Sequence, residues 1–177
     1  MKFSFLLILS FLMLSSANKQ ELEQTKETSK VEFKIKNFGV NVDGYFGTVS
    51  ISPVFNSKHG LTDLSAIIKV SSIKTGMESR DAHILKEDFF DERNYKTISF
   101  KSIKIERIKD SYFQAQANLT IKDITKKISI PISINTINDE VRITSEFEIN
   151  RLDYGVGGRS LVLGKTVKIN VRHSYIK

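Results

Sequence analysis

A chain of 177 residues, 40% of them apolar, is long enough for one domain with a sizeable core, and its formal charge of +7 gives that domain a basic surface. The lack of any cysteine excludes a disulfide framework, a thiolate metal site and a lipid-modified N-terminal cysteine. The lysines are scattered along alternating segments instead of clustering with aromatic residues, so the charge reads as a solvated surface and no nucleic-acid partner is expected.

The N-terminus, MKFSFLLILSFLMLSSANKQ, carries Lys2, an apolar run from Phe3 to Leu14, and then the small residues Ser15, Ser16 and Ala17. That run is well short of the roughly 20 apolar residues that span a bilayer. Residues 1–17 are therefore expected to be a cleaved signal peptide, and the mature protein to be exported, either periplasmic or extracellular. Residues 18–30, NKQELEQTKETSK, have no apolar face and read as a flexible polar tether ahead of a domain over 31–177.

In VEFKIKN the residues Val31, Phe33 and Ile35 alternate with Glu32, Lys34 and Lys36, the period of a half-buried strand. The same period recurs in KISIPISIN, VRITSEFEIN and VKINVRHSY. Less regular strands are expected over 41–52, 61–71, 97–105 and 112–121, which makes eight. In TISFKSIKIERI the apolar phase moves from Ile98 and Phe100 to Ile103 and Ile105, predicting a bulge near Ser102. Turn signals at Asp43-Gly44, Lys109-Asp110 and Asn138-Asp139 predict antiparallel hairpins. Eight such strands form either a closed barrel or a sandwich. Small residues on inward faces, Ala115 and Ala117 after Phe113, and Gly47 between Tyr45 and Val49, leave space for a hollow interior unless large partners fill it.

Between the strands lies SRDAHILKEDFF, residues 79–90, read as a short amphipathic helix. Ser79 is the expected N-cap, Asp81 sits in the first turn where the dipole favours negative charge, and Ala82, Leu85 and Phe89 share one apolar face. Asp81, His83 and Asp88 are types suited to acid and base chemistry, but no nucleophile motif or second histidine lies near them, so no enzyme is expected. A zinc site would need three or four ligands, and the remaining histidines are His59 beside a loop glycine and His173 on the apolar face of the last strand. GVGGRS, residues 155–160, lacks the strand-to-helix context of a phosphate loop and reads as a mobile hairpin loop.

The segments TGMESRDAHILKEDFFDERNYKTISFKS, ANLTIKDITKKISIPI and INRLDYGVG, in this order and spacing, resemble the YceI-like family of exported polyisoprenoid-binding proteins. The resemblance runs from about Val31 to the C-terminus. It implies an all-β fold, an eight-stranded antiparallel lipocalin-like barrel with a short helical insertion around 79–90. It also implies binding of a long isoprenoid chain without catalysis, and no cofactor other than that lipid. The family's motifs fall on Arg80, Asp81 and His83, on Phe89 and Phe90, on Phe100 and Ser102, and on Asn150 and Arg151. Departures are Lys96 and Lys127 where prolines are usual, and Ala117 and Asp123 where glycines are.

Laid over the barrel opening, the helix would offer Leu85 and Phe89 to the lumen and keep Arg80 and His83 at the rim for a polar or anionic head group; the alternative is that Arg80, Asp81 and His83 pair with each other and fix the helix. The expected ligand-binding set is Arg80, Asp81, His83, Leu85, Phe89, Phe100, Phe113, Ala115, Ala117 and Arg151. The expected partner is a long-chain isoprenoid lipid, of prenyl quinone or prenyl phosphate type, with transient contact to a membrane surface. A homodimer is left open. The competing reading is a filled barrel that works through its surface as an envelope stress or interaction module.

Overall fold

The computed structural model describes residues 27–58 and 60–176. The expected signal peptide, most of the tether and His59 lie outside them. The strands are β1 (Thr28–Asn37), β2 (Val40–Phe46), β3 (Val49–Asn56), β4 (Gly60–Lys69), β5 (Ile73–Lys74), β6 (Thr97–Lys109), β7 (Tyr112–Ile121), β8 (Ile124–Ile137), β9 (Glu140–Asn150) and β10 (Leu163–Ile176). Among the described residues one α-helix, α1, covers Glu78–Ile84, and 3-10 turns cover Val70–Ser72 and Arg151–Tyr154. The ten strands form one sheet in the order β3-β4-β6-β7-β8-β9-β10-β1-β2-β5, which curls around its apolar face. All the pairs are antiparallel.

Ten strands replace the eight expected for two local reasons. The stretch expected as one strand over 41–52 breaks at Gly47-Thr48, where Gly47 N–H donates to Ser72 O at 2.9 Å. The two-residue β5, which pairs with the end of β2, is too short for a periodicity to reveal. Gly47 is exposed at this corner, so it does not hollow the interior as its place between Tyr45 and Val49 suggested. β1 begins at Thr28, so the last three residues assigned to the tether are strand.

The turns follow backbone chemistry more than composition. Phe38-Gly39, Lys122-Asp123 and Asn138-Asp139 all have positive φ at both positions, as two-residue hairpin turns require. Asp43-Gly44, expected as a turn, lies inside β2 instead. Gly44 faces Phe33 on β1, and the Phe33 ring fills the space a Cβ would need there. The bulge near Ser102 is present as a register shift between Ser102 and Lys104, and Ser102 Oγ donates to Asp63 Oδ1 at 2.8 Å while accepting Leu64 N–H at 3.0 Å.

The segment that follows β5 spans one end of the barrel. Gly157 N–H donates to Asp88 O at 2.9 Å, and Lys122 Nζ donates to Glu87 O at 3.0 Å and Gly155 O at 3.2 Å, tying this segment to the β7–β8 turn and to the loop before β10. Toward the other end, where the β6–β7 and β8–β9 turns lie, Leu61, Phe113, Ala115 and Val141 are buried and close-packed.

Candidate functional site

The inward face of the curled sheet and the segment above it enclose a cavity of about 600 Å³. Its walls are mostly aliphatic and aromatic: Ile35 and Phe33 from β1, Phe100 from β6, Ile130 from β8, Phe147 from β9 and Ile169 from β10. Ile84, Phe89 and Phe90 close it from above, with the Phe90 ring edge-on to Phe46 at 6.1 Å between centroids. The volume lies within the range of about 300 to 1,000 Å³ of sites for small organic ligands. Polar groups gather at the covered end, where Arg80, His83, Asp88, Arg151 and Arg159 contribute to the lining.

Five of the expected residues, Arg80, His83, Phe89, Phe100 and Arg151, meet at this cavity. The other five do not line it. Phe113 is core at the far end, and Ala115 and Ala117 point inward as the alternation predicted but are 0% exposed. The structure therefore overlays the small residues with packing instead of leaving space above them. Leu85 packs against the core without reaching the cavity wall, and Asp81 turns away from it.

The helix also differs from its expected form. α1 is seven residues long, its N-cap is Met77 with no side-chain cap bond, and Ser79 lies within the first turn. Ala82, expected on the apolar face, is exposed. Helical geometry stops at Ile84, and tight turns then bring Phe89 and Phe90 inward together, with Phe90 N–H donating to Ile84 O at 3.0 Å.

Arg80 and Asp81 do not pair with each other. Both hold Thr75, a buried residue just after β5. Asp81 Oδ1 accepts from Thr75 N–H at 2.8 Å and from Thr75 Oγ1 at 2.5 Å, while Arg80 Nε donates to Thr75 Oγ1 at 2.8 Å and Arg80 Nη2 to Thr75 O at 2.6 Å. Thr75 is the residue that sequence reading missed, since a lone threonine before a glycine carries no periodic signal. His83 is solvent-facing, stacked edgewise on Phe89 at 5.1 Å, with its Nε2 atom 3.8 Å from Asp88 Oδ2.

Arg151 is 4% exposed and gives four of its five N–H groups to backbone carbonyls. Nε bonds Gly164 O at 2.8 Å, Nη1 bonds Val156 O at 2.8 Å and Gly158 O at 3.0 Å, and Nη2 bonds Leu163 O at 3.2 Å. The loop expected to be a mobile hairpin is thus clasped around one guanidinium, whose pKa burial lowers. Gly157 sits in that clasp at φ +65°, and a Cβ there would come within 2.9 Å of both Arg151 Nη1 and the Phe89 ring.

Two polar residues, Ser145 and His173, lie on the wall away from the covered end. His173 is 2% exposed, and its Nδ1 atom is 3.0 Å from Ser29 Oγ across the β1–β10 pair. Burial lowers its pKa, with the Glu27 carboxylate 3.8 Å from Nδ1 acting in the opposite direction. Among the described residues no group of three or more His, Asp or Glu side chains is placed to hold a metal ion.

A curled antiparallel sheet around an apolar cavity, with a short helical segment over one end, is the architecture of a lipocalin-like binding barrel. The model of the YceI-like domain matches residues 23–175, and the chain belongs to that family. A UPF0312 protein of Staphylococcus aureus strain N315 is 31% identical over 158 residues, covering 79% of this chain and 88% of that protein. A UPF0312 protein of Vibrio parahaemolyticus is 27% identical over 104 residues, which span 58% of this chain and 55% of that protein. Among solved structures, BcnA of Burkholderia cenocepacia superposes with a TM-score of 0.78 at 20% identity, covering 82% of this chain and 95% of that one. A polyisoprenoid binding domain from Saccharophagus degradans, implicated in plant cell wall breakdown, gives a TM-score of 0.69 at 15% identity, covering 84% and 93%.

Proposed function

We propose that this protein is an exported carrier or reservoir that takes a long polyisoprenoid chain, of prenyl quinone or prenyl phosphate type, into its barrel. The observation that carries the reading is the apolar cavity of about 600 Å³. An apolar space of that size has no use for a polar substrate, because burying an unpaired polar group costs several kcal/mol, about 2 to 7 by transfer measurements. Polyisoprenoid binding by a neighbour of the same fold supports the choice of chain. At about −0.3 kcal/mol per heavy atom, a chain of about 20 carbons contributes about −6 kcal/mol, enough for uptake without any chemical step. The signal-like N-terminus and the basic surface suit a protein that meets lipids at an envelope membrane.

A filled barrel acting through its surface is countered by the same cavity, although packing does fill the end beneath Phe113 and Ala115. Native mass spectrometry of the purified mature protein, followed by organic extraction, tests the reading. A prenyl lipid that copurifies, or saturable binding of added prenyl alcohols, is expected. A chain that retains no lipid and takes up none would return the barrel to a surface role.

A further inference from the structure

On the wall away from the helical segment, His173 presents a polar atom that no protein group engages. His173 faces inward on β10, alternating with Val167, Ile169 and Val171, all of which line the cavity. Its Nδ1 atom is engaged by Ser29, and Nε2 has no hydrogen-bond partner. The residue is 98% buried, so its remaining accessible surface faces the cavity it lines. Ser145, diagonal to His173 across the β9–β10 pair, lines the same wall; its Oγ donates to Pro131 O at 2.6 Å and keeps its acceptor lone pairs.

His173 lies far from the covered end. Leu163, beside Asn37 at that end, is ten positions back along β10, and at about 3.3 Å per residue the separation along the strand is about 30 Å. The cationic lining residues Arg80, Arg151 and Arg159 come from the helical segment and the connection before β10, not from the strands around His173. The Glu27 carboxylate lies 3.8 Å from the imidazole Nδ1 and repels anions.

Resting on the lipid-binding reading above, we propose that His173 Nε2, with Ser145 beside it, is an inner polar subsite that takes an uncharged hydroxyl or carbonyl oxygen of the bound lipid. A neutral prenyl alcohol or quinone enters with its oxygen-bearing end first and leaves its tail toward the helical segment. A prenyl diphosphate is oriented the other way. No Lys or Arg lines the cavity around His173 among the described residues, so the diphosphate charge stays with His83 and Arg159, which are exposed where they line the covered end. The cavity thus sorts lipids by the charge of the head while the chain contacts remain common to all.

The test uses the mature protein with geranylgeraniol, its diphosphate and the hydrocarbon of the same carbon skeleton. Nitrogen NMR of isotope-labelled histidine in the wild-type protein should show the His173 Nε2 resonance moving on addition of the alcohol, and staying in place with the hydrocarbon and the diphosphate. His173→Phe should weaken the alcohol about tenfold, which is about 1.4 kcal/mol, and leave the hydrocarbon within about twofold. His173→Gln, which keeps a polar group, should recover part of the loss. Equal losses for alcohol and hydrocarbon, or an Nε2 resonance unmoved by bound alcohol, would overturn the subsite and leave lipid binding standing. If none of the three probes binds the wild-type protein, the carrier reading itself falls and the subsite with it.

Discussion

At the scale of single residues, the buried polar side chains divide into those that build the site and those that face its contents. Arg151 belongs to the first kind, because two carbonyls of the loop before β10 and two from the start of β10 end on its guanidinium. Arg151→Ala should cost about 2 to 4 kcal/mol in urea unfolding, since the fully buried Val156 carbonyl left unpaired costs about 1 to 3 kcal/mol and the three part-buried carbonyls, which water can reach, add less. Arg151→Lys should recover little of it, as an ammonium cannot span the same acceptors. His173 is held neutral by burial, its pKa lowered despite Glu27. The unfolded chain takes up that proton near pH 6.5, about the ordinary histidine value, and the folded protein only at lower pH. Its contribution to stability is therefore complete above about pH 6.5 and is lost as pH falls through the lower folded value. Urea midpoints measured downward from about pH 7.5 should fall for the wild-type protein and fall less for His173→Phe; parallel slopes would show that His173 does not carry this loss.

At the scale of elements, the helical segment and β7 each have one face whose role the structure redefines. Ile84, Phe89 and Phe90 face the cavity while Leu85 packs beside it. Replacing Phe89 and Phe90 together with Ser should weaken every prenyl ligand by tenfold or more whatever its head, since at about 25 cal/mol per Å² the two rings lose well over about 1.4 kcal/mol of chain contact. Leu85→Ser should instead lower the melting temperature with a smaller effect on binding. Calorimetric titration beside thermal melts separates the two outcomes. On β7, Ala115 and Ala117 are fully enclosed, so Ala115→Phe or Ala117→Phe should destabilise by about 1 to 3 kcal/mol or more through overpacking. Ala66 on β4 does line the cavity, and Ala66→Phe should reduce ligand capacity with less loss of stability. Denaturation and binding measured on both variants would contradict this assignment if their effects were exchanged.

At the scale of the whole molecule, the cavity volume sets a length for its cargo. Taking about 30 Å³ for each water-sized group, a space of about 600 Å³ accepts on the order of 20 carbons. Affinity for prenyl alcohols should rise by about 0.3 kcal/mol per added carbon up to that length and then flatten, because further units remain outside in water. Dissociation constants across alcohols of about 10 to about 40 carbons would show the break, and a continued rise to the longest chain would mean that the barrel widens on binding. Under the proposed carrier reading, a longer lipid would be held by part of its length, with the rest outside the cavity.

The strand set was legible in the sequence because a half-buried strand writes its burial directly as alternation, as in Val31, Phe33 and Ile35 or Val167, Ile169 and Val171. The bulge at Ser102 was legible for the same reason, since a phase change in apolar residues is local. Of the residues that line the cavity, Arg80, His83, Phe89 and Phe100 stand on the motifs that carry the family resemblance, and the helical reading of 79–90 turned Phe89 inward. What neighbouring residues do to one another across the barrel was not written locally. Small residues at Ala115 and Ala117 looked like space, yet space depends on what lies opposite, and packing from other strands covers them. Gly44 looked like a turn until Phe33 on the adjacent strand occupied the place of its missing side chain. Arg80 and Asp81 could have been partners of each other, but the turn between β5 and α1 folds Thr75 back onto both, and a lone threonine five and six residues earlier carries no periodic signal of that. Within the regular strands the sequence alone determined which residues point inward; only the curl of the sheet decided which of those meet another side chain and which meet an empty space, because that contact is made between strands far apart in the chain.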